Sequence, residues 1–536
     1  MADFSGKDNP LFVELAGRQL SRRNLLKAAG ALGAAAAVSP LLAACGSSSG
    51  GGASASPSAS AVAAPVKGGR LRMGVIGGSA RDVVDLQVAM TSPDNLRGRQ
   101  IFNTLFEYDH QFKMRPALAT EATSNAKGDV WTVKLQPDVT FHNGKPMTAA
   151  DVVWTFRNIL DPKFTNVAVD SFKDVDPKRL KAIDDLTVEF VLKRPNGDFL
   201  NSLAFIHATI KPEGYDPKNP VGTGPFTYGD FTPGDRSIFP AFKDYWGTGP
   251  YVDEVETIDF VDVTAMVNAL QGGALDAASE IPAAQVRMIE AAGFKSVTSE
   301  TGKWNYIFWD TAIKPWSDVR VRQAMRLIMD RPQMVELALE GYGRVGNDMW
   351  GLYDPAYPAD VPQRVQDIEQ AKSLLKQAGY SDLTFELLTS PVTTGAVEAT
   401  QVFAEQAKLA GVTVTTKKVD VGTFWGDKYL TWPNGPGWYS ARMYLSQARL
   451  CEAWNEPHWN DKKWWNLIDE AYATVDETKR NEIIQEAYAI DYDVGAWDIW
   501  SWVNAVDACD PKVQGLVPDA SGIPYNAGYV NELWIG

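Results

Sequence analysis

The sequence has few of the residues on which most metal and nucleophilic chemistry depends. It contains only four histidines and three cysteines in 536 residues. The histidines are scattered rather than spaced as ligands, so neither a metal site nor a bound cofactor is predicted. The G-x-S-x-G, H-E-x-x-H and Walker A patterns are also missing. These absences argue against an enzyme. A glycosidase whose two carboxylates are brought together by the fold stays open as an alternative.

Long hydrophobic runs and positive charge are scarce as well. Beyond the N-terminal region no run of about 18 apolar residues occurs, so no membrane-spanning helix is predicted there. Residues 1–44 carry five basic and three acidic side chains, and their removal changes the net charge from −15 to −17. An acidic chain of this kind is a poor partner for nucleic acid. The simplest meaning of the charge is solubility outside the cell.

Residues 1–44 have the features of an export signal. A basic segment with the pair Arg22-Arg23 precedes a short Ala/Gly-rich apolar stretch. The pair resembles a twin-arginine signal, and LAAC at residues 42–45 resembles a bacterial lipobox. The resemblance implies cleavage before Cys45 and lipidation of its sulfur. Residues 45–65 have neither charge nor apolar periodicity and are predicted to be a flexible tether.

Two cysteines, Cys451 and Cys509, remain once Cys45 is lipidated. An even pair in an exported protein suggests a disulfide bridge. Two free buried thiols are the alternative, and the sequence leaves both open.

The stretch Phe141–Phe156, FHNGKPMTAADVVWTF, predicts scaffold rather than reactive chemistry. Thr148 with Asp151 three residues later predicts a capped helix that begins near residue 149. VWTVKL, at residues 130–135, alternates apolar and polar side chains as a half-buried strand does. His142 is therefore interpreted as a structural residue.

Regular helices and a crossover unit are predicted in the C-terminal half. Asp318–Arg331 and Asp367–Tyr380 have apolar residues at helical spacing. Residues 383–389 and 412–419 are predicted strands on either side of a helix near 402–409. This β-α-β order predicts a parallel pair of strands with a crossover helix.

Seven segments in sequence order resemble the bacterial ABC-transporter solute-binding proteins of family 5, which serve importers of peptides, nickel and related solutes. Any one segment is weak evidence, but their common order over nearly all of residues 68–536 is strong. The segments are GGRLRMG (68–74), FNTLFEYD (102–109), PALAT (116–120), VTFHNGKPMTAADVVWTF (139–156), PVGTGPF (220–226), WSDVRVRQAMRLIMDR (316–331) and DIEQAKSLLKQAGY (367–380).

The resemblance implies an α/β fold and a division into domains. The fold would be a two-lobed clamp like that of periplasmic binding proteins (type II, cluster C) with an additional inserted domain. Lobe I would comprise residues 66–110, 219–300 and 506–536, the inserted domain 111–218, and lobe II 301–505. The solute is expected in the cleft between lobes I and II, which would close around it by a hinge motion.

Tryptophans concentrate in the expected lobe II, with seven between residues 425 and 465. The Gly/Pro-rich segment 429–445 has no periodicity and is predicted to be an irregular loop, where aromatic residues are candidates for ligand contact. GAWDIWSWV alternates like a strand, which would place Trp500 and Trp502 on one face and Trp497 on the other. The aromatic candidates for solute binding are Trp304, Trp425, Trp438 and Tyr439.

Arg442 is the polar candidate. Peptide-binding members of the family usually carry an acidic residue in this loop that pairs with the peptide's α-ammonium, whereas this chain has Ser440-Ala441-Arg442. A buried ammonium without a partner is costly, which argues against ordinary peptide recognition. Arg442 is instead suited to a carboxylate or phosphate, with a surface position in a mobile loop as the alternative.

The predicted function is that of a membrane-anchored ABC-importer receptor on the outer, periplasmic face of the cytoplasmic membrane. It is expected to be a monomer that captures an oligopeptide or peptide-like solute and delivers it to the transmembrane subunits of a permease. An oligosaccharide is the alternative ligand, because sugars stack on aromatic rings. Nickel or haem is less favoured, because the candidate loops have no histidine-rich patch.

The Trp438→Ala variant is expected to bind solute more weakly with little loss of stability, because a loop aromatic contributes to the site and not to the core. Titration calorimetry gives the affinity, and the melting temperature reports the fold. Equal affinities for variant and wild type would remove Trp438 from the site.

Overall fold

A computed structural model describes residues 64–89, 91–164 and 166–536. The predictions for the export signal, for Cys45 and for nearly all of the tether lie outside these residues. Within them, no helix combines the length and the apolar character needed to cross a membrane.

Strands and helices are mixed along the described chain. The strands are β1 (Arg70–Ile76), β2 (Phe106–Tyr108), β3 (Met114–Pro116), β4 (Ala119–Ser124), β5 (Val130–Leu135), β6 (Lys181–Asp184), β7 (Thr187–Val191), β8 (Asp230–Thr232), β9 (Arg236–Pro240), β10 (Glu254–Phe260), β11 (Ala277–Ala278), β12 (Lys295–Trp309), β13 (Gly343–Val345), β14 (Thr384–Thr389), β15 (Thr413–Lys418), β16 (Asn434–Tyr439), β17 (Trp497–Cys509), β18 (Val513–Gln514) and β19 (Trp534–Ile535). The helices are α1 (Ser92–Ile101), α2 (Ala149–Ile159), α3 (Val169–Phe172), α4 (Phe199–Leu203), α5 (Val263–Gln271), α6 (Ala283–Ala291), α7 (Val319–Ile328), α8 (Arg331–Ala338), α9 (Ile368–Ala378), α10 (Ala396–Leu409), α11 (Val421–Phe424), α12 (Tyr444–Leu450), α13 (Lys462–Ala473), α14 (Glu477–Val494) and α15 (Pro524–Ala527).

A mixed nine-stranded sheet runs through the protein in the order β16-β12-β17-β11-β1-β10-β9-β8, with β13 paired to β17. Strands β12 and β17 are its longest members, with 15 and 13 residues. They pair antiparallel from Lys295 opposite Cys509 to Phe308 opposite Trp497. One end of this ladder joins β11, and the other end joins β16 and β13. The two strands therefore connect separate regions of the fold.

A four-stranded antiparallel sheet, in the order β4-β5-β7-β6, packs with α2 around its own hydrophobic core. The predicted strand VWTVKL is β5, with its Trp, second Val and Leu side chains buried. The predicted helix is α2, and the N–H of its cap residue Thr148 donates to the Asp151 carboxylate at 2.9 Å. Both predictions are confirmed.

His142 joins this region to the segment that contains Gly222 and Gly224. Its Nδ1 accepts a hydrogen bond from the Gly222 N–H at 3.3 Å, and its Nε2 donates to the Gly224 carbonyl at 3.0 Å. Burial lowers the pKa of His142 to about 4, so the ring is neutral near pH 7. The structural interpretation of His142 is confirmed.

The predicted crossover unit is also present. Strands β14 and β15 pair in parallel, and α10 lies between them in the chain. The two long predicted helices correspond to α7, which ends at Ile328, and to α9. Helix α9 stops at Gly379, whose φ of 84° is the left-handed conformation that glycine adopts readily. These elements follow from local periodicity and capping alone.

The structure decides between the two alternatives left open for the cysteine pair, and no disulfide bridge joins Cys451 to Cys509. Cys451 and Cys509 are free and buried. Cys451 lies in the aromatic core with Trp304, whereas Cys509 lies in a different core with Leu71. Burial raises the pKa of Cys509 to about 11 and raises that of Cys451 as well. Both thiols therefore stay protonated and serve as small core residues.

The segment 429–445 is not an irregular loop as predicted, because Asn434–Tyr439 form β16, an edge strand of the large sheet. Proline is tolerated on an edge strand, and Pro436 pairs with Ile307 there. A Cβ on Gly437 would lie only 2.3 Å from the Tyr306 ring. The Gly/Pro composition therefore reflects an edge position and a close ring, not a loop.

The predicted faces of the tryptophans in β17 are also wrong, because Trp497 and Trp502 pack into the same core. The β12–β17 register shifts between the pairs Asn305–Ser501 and Tyr306–Ile499, which leaves Trp500 without an opposite residue. Such a bulge inverts the alternation of side chains beyond it.

The Gly437→Ala variant is expected to lower the free energy of unfolding by about 1–3 kcal/mol, because its methyl group would displace the Tyr306 ring. Gly435→Ala is the matched control, since the nearest atoms to its Cβ are 3.3 Å away, in Phe308 and Phe424. Urea unfolding measures both. Equal unfolding midpoints for the two variants would contradict this account of the strand.

Candidate functional site

The described residues enclose a pocket of about 270 Å³ at the edge of β16. Strand β16 supplies Trp438 and Tyr439, and Ser440 follows directly. The remaining lining comes from the end of α11 and the turn that follows it, from the residue two positions before α12, and from the end of α12 and the turn after it. We call this site the aromatic pocket, and its lining residues are Trp425, Tyr429, Trp438, Tyr439, Ser440, Arg442, Leu450 and Trp454.

Four of the five predicted ligand-contact residues meet in this pocket, namely Trp425, Trp438, Tyr439 and Arg442. Trp304 does not line it and is only 1% exposed. Its ring packs 5.2 Å from that of Tyr439, its cross-strand neighbour, and 5.9 Å from that of Trp350. Trp304 therefore supports the pocket wall from behind, which corrects its predicted ligand contact.

Sequence reasoning missed four lining residues: Tyr429, Ser440, Leu450 and Trp454. One signal was available, because Trp425 and Tyr429 are four residues apart and their ring centroids lie 4.5 Å from each other. Trp454 is one of the seven tryptophans between residues 425 and 465, but no local sequence pattern distinguishes it from the tryptophans that pack in the core. Its position depends on contact with the Tyr429 ring, whose centroid lies 6.0 Å from that of Trp454.

A buried carboxylate lies behind the tyrosine walls. Glu456 is 1% exposed, and its Oε1 accepts hydrogen bonds from the hydroxyls of Tyr306 (2.9 Å), Tyr429 (2.5 Å) and Tyr439 (2.8 Å). Its Oε2 is buried without a partner among the described residues. Burial raises the pKa of Glu456, and the three hydroxyls oppose that rise. The tyrosines thus direct their hydroxyls to Glu456, and Tyr429 and Tyr439 also line the pocket.

Arg442 contributes positive charge to the lining. Its guanidinium lies 5.6 Å from the centre of the Phe205 ring, and its buried Nε has no hydrogen-bond partner among the described residues. Across the described ranges, no acidic side chain comes within 4.0 Å of it. Burial lowers the Arg442 pKa, yet a guanidinium stays charged in proteins. Arg442 is therefore a half-buried cation rather than a fully exposed one.

A second cation lies beside the pocket. The Lys303 Nζ is 4.6 Å from the centre of the Trp438 ring. Burial lowers the Lys303 pKa, and the charge of Glu280 opposes that shift. In the part of the chain that the structure describes, Lys303 forms no ion pair within 4.0 Å. The same part contains no group of three His, Cys, Asp or Glu side chains placed to hold a metal ion.

Segments distant in sequence meet next to Arg442. Phe112, Met443 and Ala520 form a small buried cluster, against which Tyr353 and Ala441 pack. The Phe112 ring also stacks on Tyr108 at 4.4 Å. The segment that carries Arg442 is therefore held between residues near 110 and residues near 520.

Comparison with known proteins places the chain in a family. The family model described as bacterial extracellular solute-binding proteins, family 5 Middle, matches residues 113–455. A model of the twin-arginine translocation signal matches residues 19–39, which confirms the predicted type of export signal.

Two curated relatives and one solved structure illustrate the similarity. The dipeptide-binding protein of Escherichia coli (strain K12) is 28% identical over 476 residues, which cover 79% of this chain and 87% of the relative. The oligopeptide-binding protein AppA of Bacillus subtilis (strain 168) is 27% identical over 387 residues, covering 66% and 70%. The crystal structure of the ABC transporter substrate-binding protein CtaP from Listeria monocytogenes superimposes with a TM-score of 0.77 at 24% identity, covering 88% of this chain and 99% of CtaP.

The structural similarity confirms the predicted α/β periplasmic-binding-protein fold with two lobes. The family consists of solute receptors of ABC importers rather than of enzymes. The chain belongs to the bacterial extracellular solute-binding proteins of family 5.

Proposed function

We propose that this receptor binds an oligopeptide or peptide-like solute in the aromatic pocket, and that Arg442 pairs with a carboxylate of the solute. One observation carries the proposal: Arg442 lines the pocket with a guanidinium that has no acidic partner within 4.0 Å among the described residues. An enclosed cation without a counter-charge is costly, and a planar carboxylate satisfies it with two parallel hydrogen bonds. Relatives named as dipeptide- and oligopeptide-binding proteins support a peptide-like solute.

The lining favours such a solute over an oligosaccharide. A bound sugar presents many hydroxyl groups that need hydrogen-bond partners when water is excluded. Tyr429 and Tyr439 direct their hydroxyls to Glu456, so mainly the apolar parts of their rings remain for the solute. Among the described lining residues, Ser440 has the one hydroxyl that is not directed to Glu456, and Arg442 supplies the charged group. The pocket therefore suits an apolar group next to a charged one.

Capture is proposed to occur between lobe I (66–110, 219–300 and 506–536) and lobe II (301–505), with 111–218 as an inserted domain. The cluster of Phe112, Met443 and Ala520 supports a site at the junction of these parts, because it joins residues from all three next to Arg442. A solute that contacts both lobes would stabilise the closed clamp, which the permease then recognises. The proposed receptor acts as a monomer and performs no chemistry.

The Arg442→Gln variant is expected to weaken binding of a carboxylate-bearing peptide about 10- to 100-fold, the loss typical of a charged hydrogen-bonded pair. A thermal-shift screen of di- to pentapeptides on the refolded protein first selects the probe. A peptide at about one hundred times its Kd adds roughly 2.7 kcal/mol to the folded state, which raises the melting temperature clearly. Titration calorimetry then gives the affinities.

A double-mutant cycle makes this test specific. Amidation of the peptide's C-terminus should weaken binding to the wild type by a similar factor and should hardly affect Arg442→Gln, because both changes remove the same contact. Arg320→Gln is the control variant, since Arg320 lies outside the pocket and pairs with Asp318. Independent effects of amidation and of Arg442→Gln would refute the pairing.

Membrane anchoring through Cys45 is part of the same proposal. Its support is the lipobox-like LAAC sequence at residues 42–45 and the matched twin-arginine signal before it. The Cys45→Ala variant is expected to lose incorporation of a labelled fatty acid and to move from the membrane fraction to the soluble exported fraction. Cys451→Ala, a substitution at a buried thiol, serves as the control. Unchanged labelling of Cys45→Ala would rule out this anchor.

A further inference from the structure

We propose that the aromatic pocket is a cage for a methylated ammonium group, so that the solute is a zwitterion with such a group near its carboxylate. This inference rests on the proposed function, because it assumes that the solute occupies the pocket and that its carboxylate meets Arg442. It adds the chemical identity of the group that the aromatic walls receive.

Five aromatic side chains form the cage: Trp425, Tyr429, Trp438, Tyr439 and Trp454. The Trp425 and Trp454 side chains are 39% and 46% exposed, although tryptophan usually buries most of its surface. They come from separate segments, yet each packs against Tyr429, with ring centroids 4.5 and 6.0 Å away. Several ring faces around one cavity attract a cation through their quadrupoles.

An ionisable carboxyl group lies directly behind this cage. The Glu456 carboxylate is buried, its Oε1 holds the hydroxyls of Tyr429 and Tyr439, and its Oε2 has no partner among the described residues. A buried carboxylate oxygen without a partner is costly to keep. A cation on the other side of the tyrosine rings would lower that cost. Glu456 therefore distinguishes this pocket from one built for a neutral apolar group.

The hydrogen-bonding groups of the pocket favour a methylated ammonium over a primary one. A primary ammonium has three N–H donors that need acceptors once water is excluded. The hydroxyls of Tyr429 and Tyr439 are committed to Glu456, and Ser440 is the only other lining hydroxyl. A fully methylated ammonium has no N–H donor and needs only apolar contact with the ring faces.

The protein itself shows that a wall of the cage accepts an ammonium group, because the Lys303 Nζ lies 4.6 Å from the centre of the Trp438 ring. Lys303 and Arg442 also restrict the solute. Two cations beside the pocket would repel a simple cation, so the solute must bring its own carboxylate to Arg442. A zwitterion meets both requirements, whereas an amine without an acid does not.

The test uses the full-length protein, unfolded and refolded to remove carried-over solute. The probes are a homologous series of ω-trimethylammonio carboxylates, each paired with the carboxylate in which carbon replaces nitrogen to give a tert-butyl group. The pairs match in shape and differ in charge. At the best chain length the trimethylammonio member is expected to bind at least about tenfold more tightly, as a multi-ring cation–π site implies.

Variants of the cage residues test whether the preference for the trimethylammonio probe over its tert-butyl partner arises in the aromatic pocket. Trp454→Ala and Trp425→Ala should each reduce the preference for the charged probe severalfold, and both side chains are exposed enough for the fold to tolerate the change. Glu456→Gln keeps the shape and removes the ionisable carboxyl group that a bound cation would favour in its charged form, so it should reduce the same preference. Phe164→Ala, at a side chain that is 55% exposed and outside the pocket, should leave it unchanged.

The outcomes separate the cage from the proposed function. Equal affinity for the two members of every pair, or no binding of either, overturns the cage. If peptides still bind through Arg442 in that case, the proposed function stands without it. If no carboxylate-bearing compound binds and Arg442→Gln changes nothing, both proposals fail together. A preference that survives both tryptophan variants also overturns the cage.

Discussion

The antiparallel ladder between β12 and β17 is the interaction on which the rest of the structure depends. It runs from Lys295 opposite Cys509 to Phe308 opposite Trp497 and passes from one hydrophobic core into another. Because β16 pairs along its far end, Trp438 and Tyr439 are held on a rigid edge strand rather than on a loop. The bulge within the ladder sets which aromatic side chains enter the core behind the pocket. A change in its register would therefore move the pocket wall.

The pocket has two contrasting features. Its walls are well supported by the surrounding core, whereas its charged groups lack complete partners. Tyr439 rests on Trp304 and on Tyr306, and its hydroxyl is fixed by Glu456. The Arg442 guanidinium lies 5.6 Å from the centre of the Phe205 ring and has no acidic partner within 4.0 Å among the described residues. In a partly enclosed site such a cation interacts more strongly with a solute than it would in water. Rigid walls reduce the entropy that is lost when side chains become ordered on binding. The unpaired charge of Arg442 determines which solutes bind, because it favours those with a carboxylate.

Part of this site followed from the sequence and part did not. The absence of the family's usual acid and the presence of Arg442 are readable residue by residue, and four of five predicted contacts do line the pocket. Trp304 was misplaced because its burial depends on Trp350, which is distant in sequence. Glu456 gave no local signal, because its three tyrosine partners come from three separate segments. Residues whose role depends on non-local neighbours are invisible to spacing rules.

The sequence by itself determined the local elements: the capped helix after Thr148, strand β5, and the parallel β14–β15 pair with its crossover helix. Periodicity, capping and chain order carry that information within short windows. Only the tertiary structure decided that Asn434–Tyr439 is a strand, that Trp497 and Trp502 share a core, and that Cys451 and Cys509 lie in different cores. The physical reason is the same in each case. Edge pairing, a bulge and the separation of two thiols are set by contacts with strands far away in the chain, which no local pattern encodes.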